Sequence, residues 1–144
     1  MQRILRKKMD DSFLNSKIPI RISCLKNNGV PIVVSLWYVN MDDKIYCATQ
    51  KTAKILKYLE KNPVCGFEIA GDSPPYIGIR GEGTIKILND KGESVLFALI
   101  DKYLGKKETR LSKFLKKKSK TEVAIEIEPK SVHNYDYSVR MKGV

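Results

Sequence analysis

The residues best suited to chemistry lie between Tyr46 and Lys61, YCATQKTAKILKYLEK, where Thr49, Lys51, Thr52 and Lys54 crowd a turn between a short apolar strand and an amphipathic helix. Backbone N–H groups in a helix's first turn have no intrahelical acceptor and point outward. Two hydroxyls and two ammonium groups around such donors suit a phosphate, so this junction reads as a grip for a phosphorylated cofactor. Each residue also has a plainer reading. Lys51 and Lys54 could be ordinary surface lysines, and Thr49 and Thr52 could cap the helix.

Other chemistries find little support. Cys24, Cys47 and Cys65 are odd in number, sit in strand-like apolar stretches and form no CxxC pair, so buried structural thiols are expected rather than disulfides or a zinc site. His133 is the only histidine and has no nucleophile motif beside it, which leaves it a surface or interface residue. No metal site is expected, and no catalytic residue is assigned.

The net charge of +11 is local. Lys102 to Lys120 carries nine of the 27 basic residues against one of the 16 acidic ones, leaving the rest of the chain near +3. Such a run is commonly a solvated face, though it could attract an anionic ligand or RNA. Only Tyr103 and Phe114 could stack bases within it, which disfavours nucleic acid as a partner. The longest apolar run, Val95 to Ile100, is far below the ~20 residues that cross a bilayer. The first residues lack a secretory pattern, so a cytoplasmic protein with no membrane partner is expected.

The 144 residues suit a single domain, 1–144. A short leading helix is expected over residues 9–17, anchored by Phe13 and Leu14. From Ile18 to Leu25 apolar residues alternate, and Lys26-Asn27-Asn28-Gly29 forms a hairpin turn in which both Asn28 and Gly29 tolerate positive φ. The run PIVVSLWYV reads as one strand covered on both sides. Asp42-Asp43-Lys44 turns the chain into a third strand, and a helix from about Thr52 to Lys61 follows, with Ile55, Leu56 and Leu59 as its apolar stripe. Next come the strand VCGFEI and then YIGIRGEGTIKIL, where Gly78, Gly81 and Gly83 signal a bulge or close backbone approach. A second helix, ESVLFALIDKYL, stops at Gly105, and TEVAIEIEP alternates Val123, Ile125 and Ile127 with Glu122, Glu126 and Glu128 as a closing strand with one buried face. The order β-β-β-α-β-β-α-β predicts a mainly β architecture, an antiparallel, Greek-key-like barrel with flanking helices.

RISCLKNNGVPIVVSLWYV, IYCATQKTAKILKYLEKNPVCGFEI, the Gly-Ile-Arg-Gly-Glu-Gly of the fifth strand and EIEPKSVHNYDYS, in this order and spacing, resemble the FMN-binding split β-barrel proteins related to pyridoxamine 5′-phosphate oxidase. The resemblance covers most of the chain. It implies a homodimer with two flavin sites at the subunit interface. By position it assigns the phosphate-contacting turn to Thr49, Lys51, Thr52 and Lys54, and the flavin ring to Val33, Val34, Ser35 and Trp37. Arg80 would reach the phosphate or the ring edge, and Arg21 is a weaker candidate. Trp37 could equally be a core or dimer-contact aromatic, and Arg80 could pair with Glu68 or Glu82 across the sheet.

These assignments imply an FMN-dependent oxidoreductase with a nicotinamide or another small-molecule redox partner. An Arg-Leu-Pro-Pro-like C-terminal substrate section is missing, which argues against vitamin oxidation. A deazaflavin remains the alternative cofactor, since its phosphate-bearing tail could use the basic surface; haem is disfavoured by the single late histidine. A non-catalytic flavin carrier, or a basic barrel that binds RNA, is the competing class.

Overall fold

The computed structural model of the protein describes residues 16–143. In chain order the elements are β1 (Ile20–Leu25), β2 (Pro31–Leu36), β3 (Val39–Met41), β4 (Lys44–Gln50), α1 (Lys54–Lys61), β5 (Val64–Ala70), β6 (Ile77–Leu88), α2 (Gly92–Leu104), α3 (Arg110–Lys116), a 3-10 turn (Ser119–Thr121) and β7 (Glu122–Asp136). The expected leading helix lies almost wholly outside the described residues.

Among the described residues, seven strands form one antiparallel sheet in the order β2-β1-β5-β6-β7-β4-β3. Its two edge strands, β2 and β3, are consecutive in the chain and separated only by Trp37 and Tyr38. Three virtual bonds span about 10 Å, so the sheet must curl until its edges nearly meet. No ladder joins them. The result is a split barrel. PIVVSLWYV is therefore two strands, because its middle crosses from one edge of the sheet to the other.

Local sequence explains most elements. Ile20, Ile22 and Cys24 are buried inside the barrel while Arg21, Ser23 and Leu25 face out. In the first hairpin Gly29 alone takes positive φ, at 83°, and its N–H donates to the Lys26 carbonyl at 2.9 Å. Asn28 contributes differently, its Oδ1 accepting the Val30 N–H at 3.0 Å. Asp42 and Asp43, at φ 54° and 60°, form the two-residue turn between β3 and β4. The register of β6 against β7 shifts between Glu82 and Gly83, the irregularity that the glycines signalled. Beside it, a Cβ on Gly81 would collide with the Ser131 carbonyl and the Phe67 ring.

Two cores position the remaining parts. Inside the barrel, strand residues such as Ile45, Ile79 and Ile125 pack together, and α1 adds Ile55, Leu56 and Leu59 to them. Outside it, α2 lays Val95, Leu99 and Tyr103 on Tyr46 and Ala124. β7 pairs with both β6 and β4, so it is a central strand, and Val123 to Ile127 are buried on both faces. Glu126, expected on an open face, is consequently buried; Tyr46 donates to its carboxylate at 2.9 Å and Lys44 at 3.4 Å.

Candidate functional site

β4 ends at Gln50, and the chain turns at once into α1 as the Ala53 N–H donates to the Gln50 carbonyl at 2.9 Å. Ala53 is the helix N-cap and offers no side-chain acceptor, so neither Thr49 nor Thr52 caps the helix. The first turn carries no acidic residue. Leu56 donates to the Ala53 carbonyl and Lys51 to that of Thr121. Among the described residues, no protein acceptor faces the N–H of Thr52, Lys54 or Ile55. Lys51, Thr52 and Lys54 are exposed around these donors, and Thr49 is half-buried beside them. An uncapped helix start with unpaired amides and two lysines is chemically suited to an anionic oxygen group.

A network that local sequence does not reveal holds this turn in place. The Gln50 side chain donates to Glu122 at 2.7 Å and to the Lys118 carbonyl at 3.0 Å, and it accepts from the Thr121 hydroxyl at 2.6 Å. Burial raises the pKa of the Glu122 carboxyl, against the lowering effect of the Gln50 hydrogen bond. Next to the junction lies a cleft of about 420 Å³ lined by Ala48, Thr49, Gln50, Phe114, Leu115 and Glu122, with Lys117 and Lys118.

The other candidates fall elsewhere. Val33 and Ser35 face outward from β2, Val33 being 65% exposed, whereas Val34 points inward onto the barrel core. Trp37 stacks flat on Tyr103, with ring centroids 4.6 Å apart, as part of the outer core. Arg80 pairs in register with Glu68 and with His133. Thr49 pairs with Val123, and Val123 and His133 stand roughly 30 Å apart along an extended strand. One subunit therefore does not bring Arg80 to the Thr49–Lys54 turn.

Arg80 instead belongs to a polar cleft of about 460 Å³ shared with Arg21, Glu68, Tyr76, Tyr135 and Tyr137. Its guanidinium sits 5.3 Å from the Tyr135 ring centre and forms no ion pair with Glu68 or Glu82 among the described residues. Glu68 accepts the Tyr135 hydroxyl at 2.9 Å. Burial, followed by that carboxylate, pushes the Tyr135 hydroxyl up to about 12. Arg21 reaches Asp72 at 3.8 Å.

The cysteines are buried free thiols. Burial pushes Cys65 up to about 12 and raises Cys24 and Cys47 as well, so none is poised as a thiolate nucleophile. His133 is exposed. Among the described residues, no group of three His, Cys, Asp or Glu side chains could hold a metal ion.

Comparison with known proteins follows the architecture. A conserved hypothetical protein from Mycobacterium tuberculosis is 18% identical and superposes with a TM-score of 0.77 over 92% of this chain and 86% of its own. An F420 reductase is 16% identical, with a TM-score of 0.72 over 88% and 97%. A FAD-binding protein from Mesorhizobium loti is 20% identical, with a TM-score of 0.62 over 88% and 91%. No curated protein matches the sequence. The family model described as pyridoxamine 5′-phosphate oxidase matches residues 7–136, and the chain belongs to that family.

Proposed function

We propose that the protein is an FMN-binding, flavin-dependent oxidoreductase that acts as a cytoplasmic homodimer within one 144-residue domain. The observation that carries this reading is the start of α1, where the unpaired amides of Thr52, Lys54 and Ile55 stand among Lys51, Lys54 and two threonines. A phosphate there gains about 0.3–1 kcal/mol from the helix dipole alone, with the ammonium groups in addition. Thr49, Lys51, Thr52 and Lys54 hold the phosphate, and Val33, Val34 and Ser35 of β2, with Trp37 just beyond its end, orient the ring through backbone groups and apolar walls. When bound, the flavin supplies the redox chemistry, and the protein supplies binding and orientation.

A dimer is supported by the outer face of the sheet. Leu25, Val33 and Val64 are 44%, 65% and 49% exposed there, on neighbouring strands separated by the small Ser23 and Gly66. A second subunit on this face covers that apolar strip and offers the route by which Arg80 serves the partner's cofactor, given its distance from its own phosphate turn. The cleft beside Thr49, with Lys117 and Lys118 at its rim, favours a second reading: a deazaflavin with a longer anionic tail, the cofactor class named for the F420 reductase of similar fold.

The test is the absorption spectrum of freshly isolated protein, with mass identification of what it releases on heating. A yellow protein releasing FMN supports the proposal, and a released deazaflavin selects the second reading. Colourless protein that takes up neither would remove both. Anaerobic bleaching of the bound flavin by a nicotinamide donor separates an oxidoreductase from a carrier.

A further inference from the structure

Most of the cationic surface around α3 is not used by the flavin reading; Phe114, Leu115, Lys117 and Lys118 border the cleft beside Thr49, which only the deazaflavin alternative uses. A capping box fixes the helix: the Thr109 hydroxyl accepts the Ser112 N–H at 3.0 Å, and the Ser112 hydroxyl accepts the Thr109 N–H at 2.8 Å. Ser112 is buried and Leu115 half-buried, so at 3.6 residues per turn Arg110, Lys113, Phe114 and Lys117 are turned to solvent, with Leu111 at the flank. Phe114 is 69% exposed and Leu111 45%, an apolar pair one turn apart amid cations. Lys120 is held by Glu93 at 3.1 Å. Arg110, Lys113, Lys116, Lys117 and Lys118 have no carboxylate partner among the described residues.

We propose that this face docks on an anionic lipid bilayer, with Leu111 and Phe114 entering the headgroup boundary and the surrounding cations meeting lipid phosphates. Among the described residues no helix is long and apolar enough to cross a membrane, so the contact is superficial. It goes beyond the sequence expectation of no membrane partner, and it rests on Leu111 and Phe114 being exposed together on the folded helix. Charge complementarity selects the occupant. A second copy placed two-fold on the same face would oppose like charges. Single-stranded nucleic acid would use Phe114 for stacking but gain nothing from Leu111. A bilayer uses both residues and every cation.

The full-length protein should co-sediment with phosphatidylcholine vesicles doped with phosphatidylglycerol, not with pure phosphatidylcholine, and should release at high salt. Arg110→Gln with Lys113→Gln should weaken partitioning on the order of 20-fold, about fivefold per cation. Leu111→Ser alone should weaken it severalfold. Circular dichroism and melting temperature check that each variant is folded, as their exposed positions lead one to expect. The proposal is overturned by absence of sedimentation at low salt, by equal binding to neutral vesicles, or by a Leu111→Ser variant that binds as wild type. Retention on single-stranded oligonucleotides that is tighter than on vesicles and lost only with Phe114→Ser would overturn it in favour of nucleic acid.

Discussion

The Tyr103 hydroxyl accepts the Tyr38 N–H at 3.2 Å where the sheet lacks a ladder, and it donates to the Ile18 carbonyl at 2.9 Å. One phenol on α2 thus ties the link between β2 and β3 to the segment that leads into β1. Trp37, next in the link, stacks on the same ring. Tyr103→Phe keeps the stack and removes both hydrogen bonds, so it should lower unfolding free energy by about 1–3 kcal/mol in urea melts. An unchanged midpoint would show that this tie contributes nothing.

Lys102, the neighbour of Tyr103, donates to the Tyr38 carbonyl at 2.8 Å with its ammonium 3.6 Å from the Tyr38 ring centre. Burial lowers its pKa from 10.5 to about 8. Between those values the unfolded chain binds more protons than the folded one. The charged lysine therefore weakens the fold at neutral pH, and the penalty is relieved as pH rises through about 8. Stability of wild type relative to Lys102→Met should rise between pH 7 and pH 9, since the comparison cancels the other groups that titrate in that range. Parallel denaturant curves at the two pH values check the sign.

Buried Glu126 holds both Tyr46 and Lys44. Glu126→Ala leaves the Tyr46 hydroxyl without its acceptor and opens a void at a buried position, which should cost about 2–4 kcal/mol. Glu126→Gln retains an acceptor oxygen and should cost about half as much or less. Chemical denaturation of the two variants side by side separates the lost hydrogen bond from the lost charge.

At the start of α2, a Cβ on Gly92 would strike the Glu122 carbonyl, backbone against backbone. Gly92→Ala should therefore destabilise by about 1–3 kcal/mol even though alanine favours helix. A melting temperature at or above wild type would mean that α2 can lift off β7 freely.

Much of the barrel is legible in the sequence because its pattern is local. Ile20, Ile22 and Cys24 alternate since only one face of β1 is buried, and Gly81 and Gly83 stand beside the register shift in β6. Glu126 misleads for a long-range reason: α2 packs on Tyr46 and Ala124 of the same face, and Glu126 is buried beside Tyr46, whereas Glu122 and Glu128 stay half-exposed. The switch of edges at Trp37 and Tyr38 is likewise hidden inside an unbroken apolar run. At the candidate site, Thr49, Lys51, Thr52 and Lys54 are brought together by the chain turn itself. Gln50, which fixes that turn, finds Thr121 and Glu122 only after β4 has paired with β7. The resemblance, not periodicity, joined Arg80 to the same site.

A phosphate gripped at the start of α1 is the one group by which FMN differs from riboflavin. Fluorescence-quenching titrations of wild type and Lys54→Glu with both ligands measure that grip. Wild type should bind FMN at least tenfold more tightly than riboflavin, a difference of about 1.4 kcal/mol, and Lys54→Glu should erase most of that preference. Equal affinity for the two ligands, or an FMN preference untouched in Lys54→Glu, would mean that the start of α1 holds no phosphate.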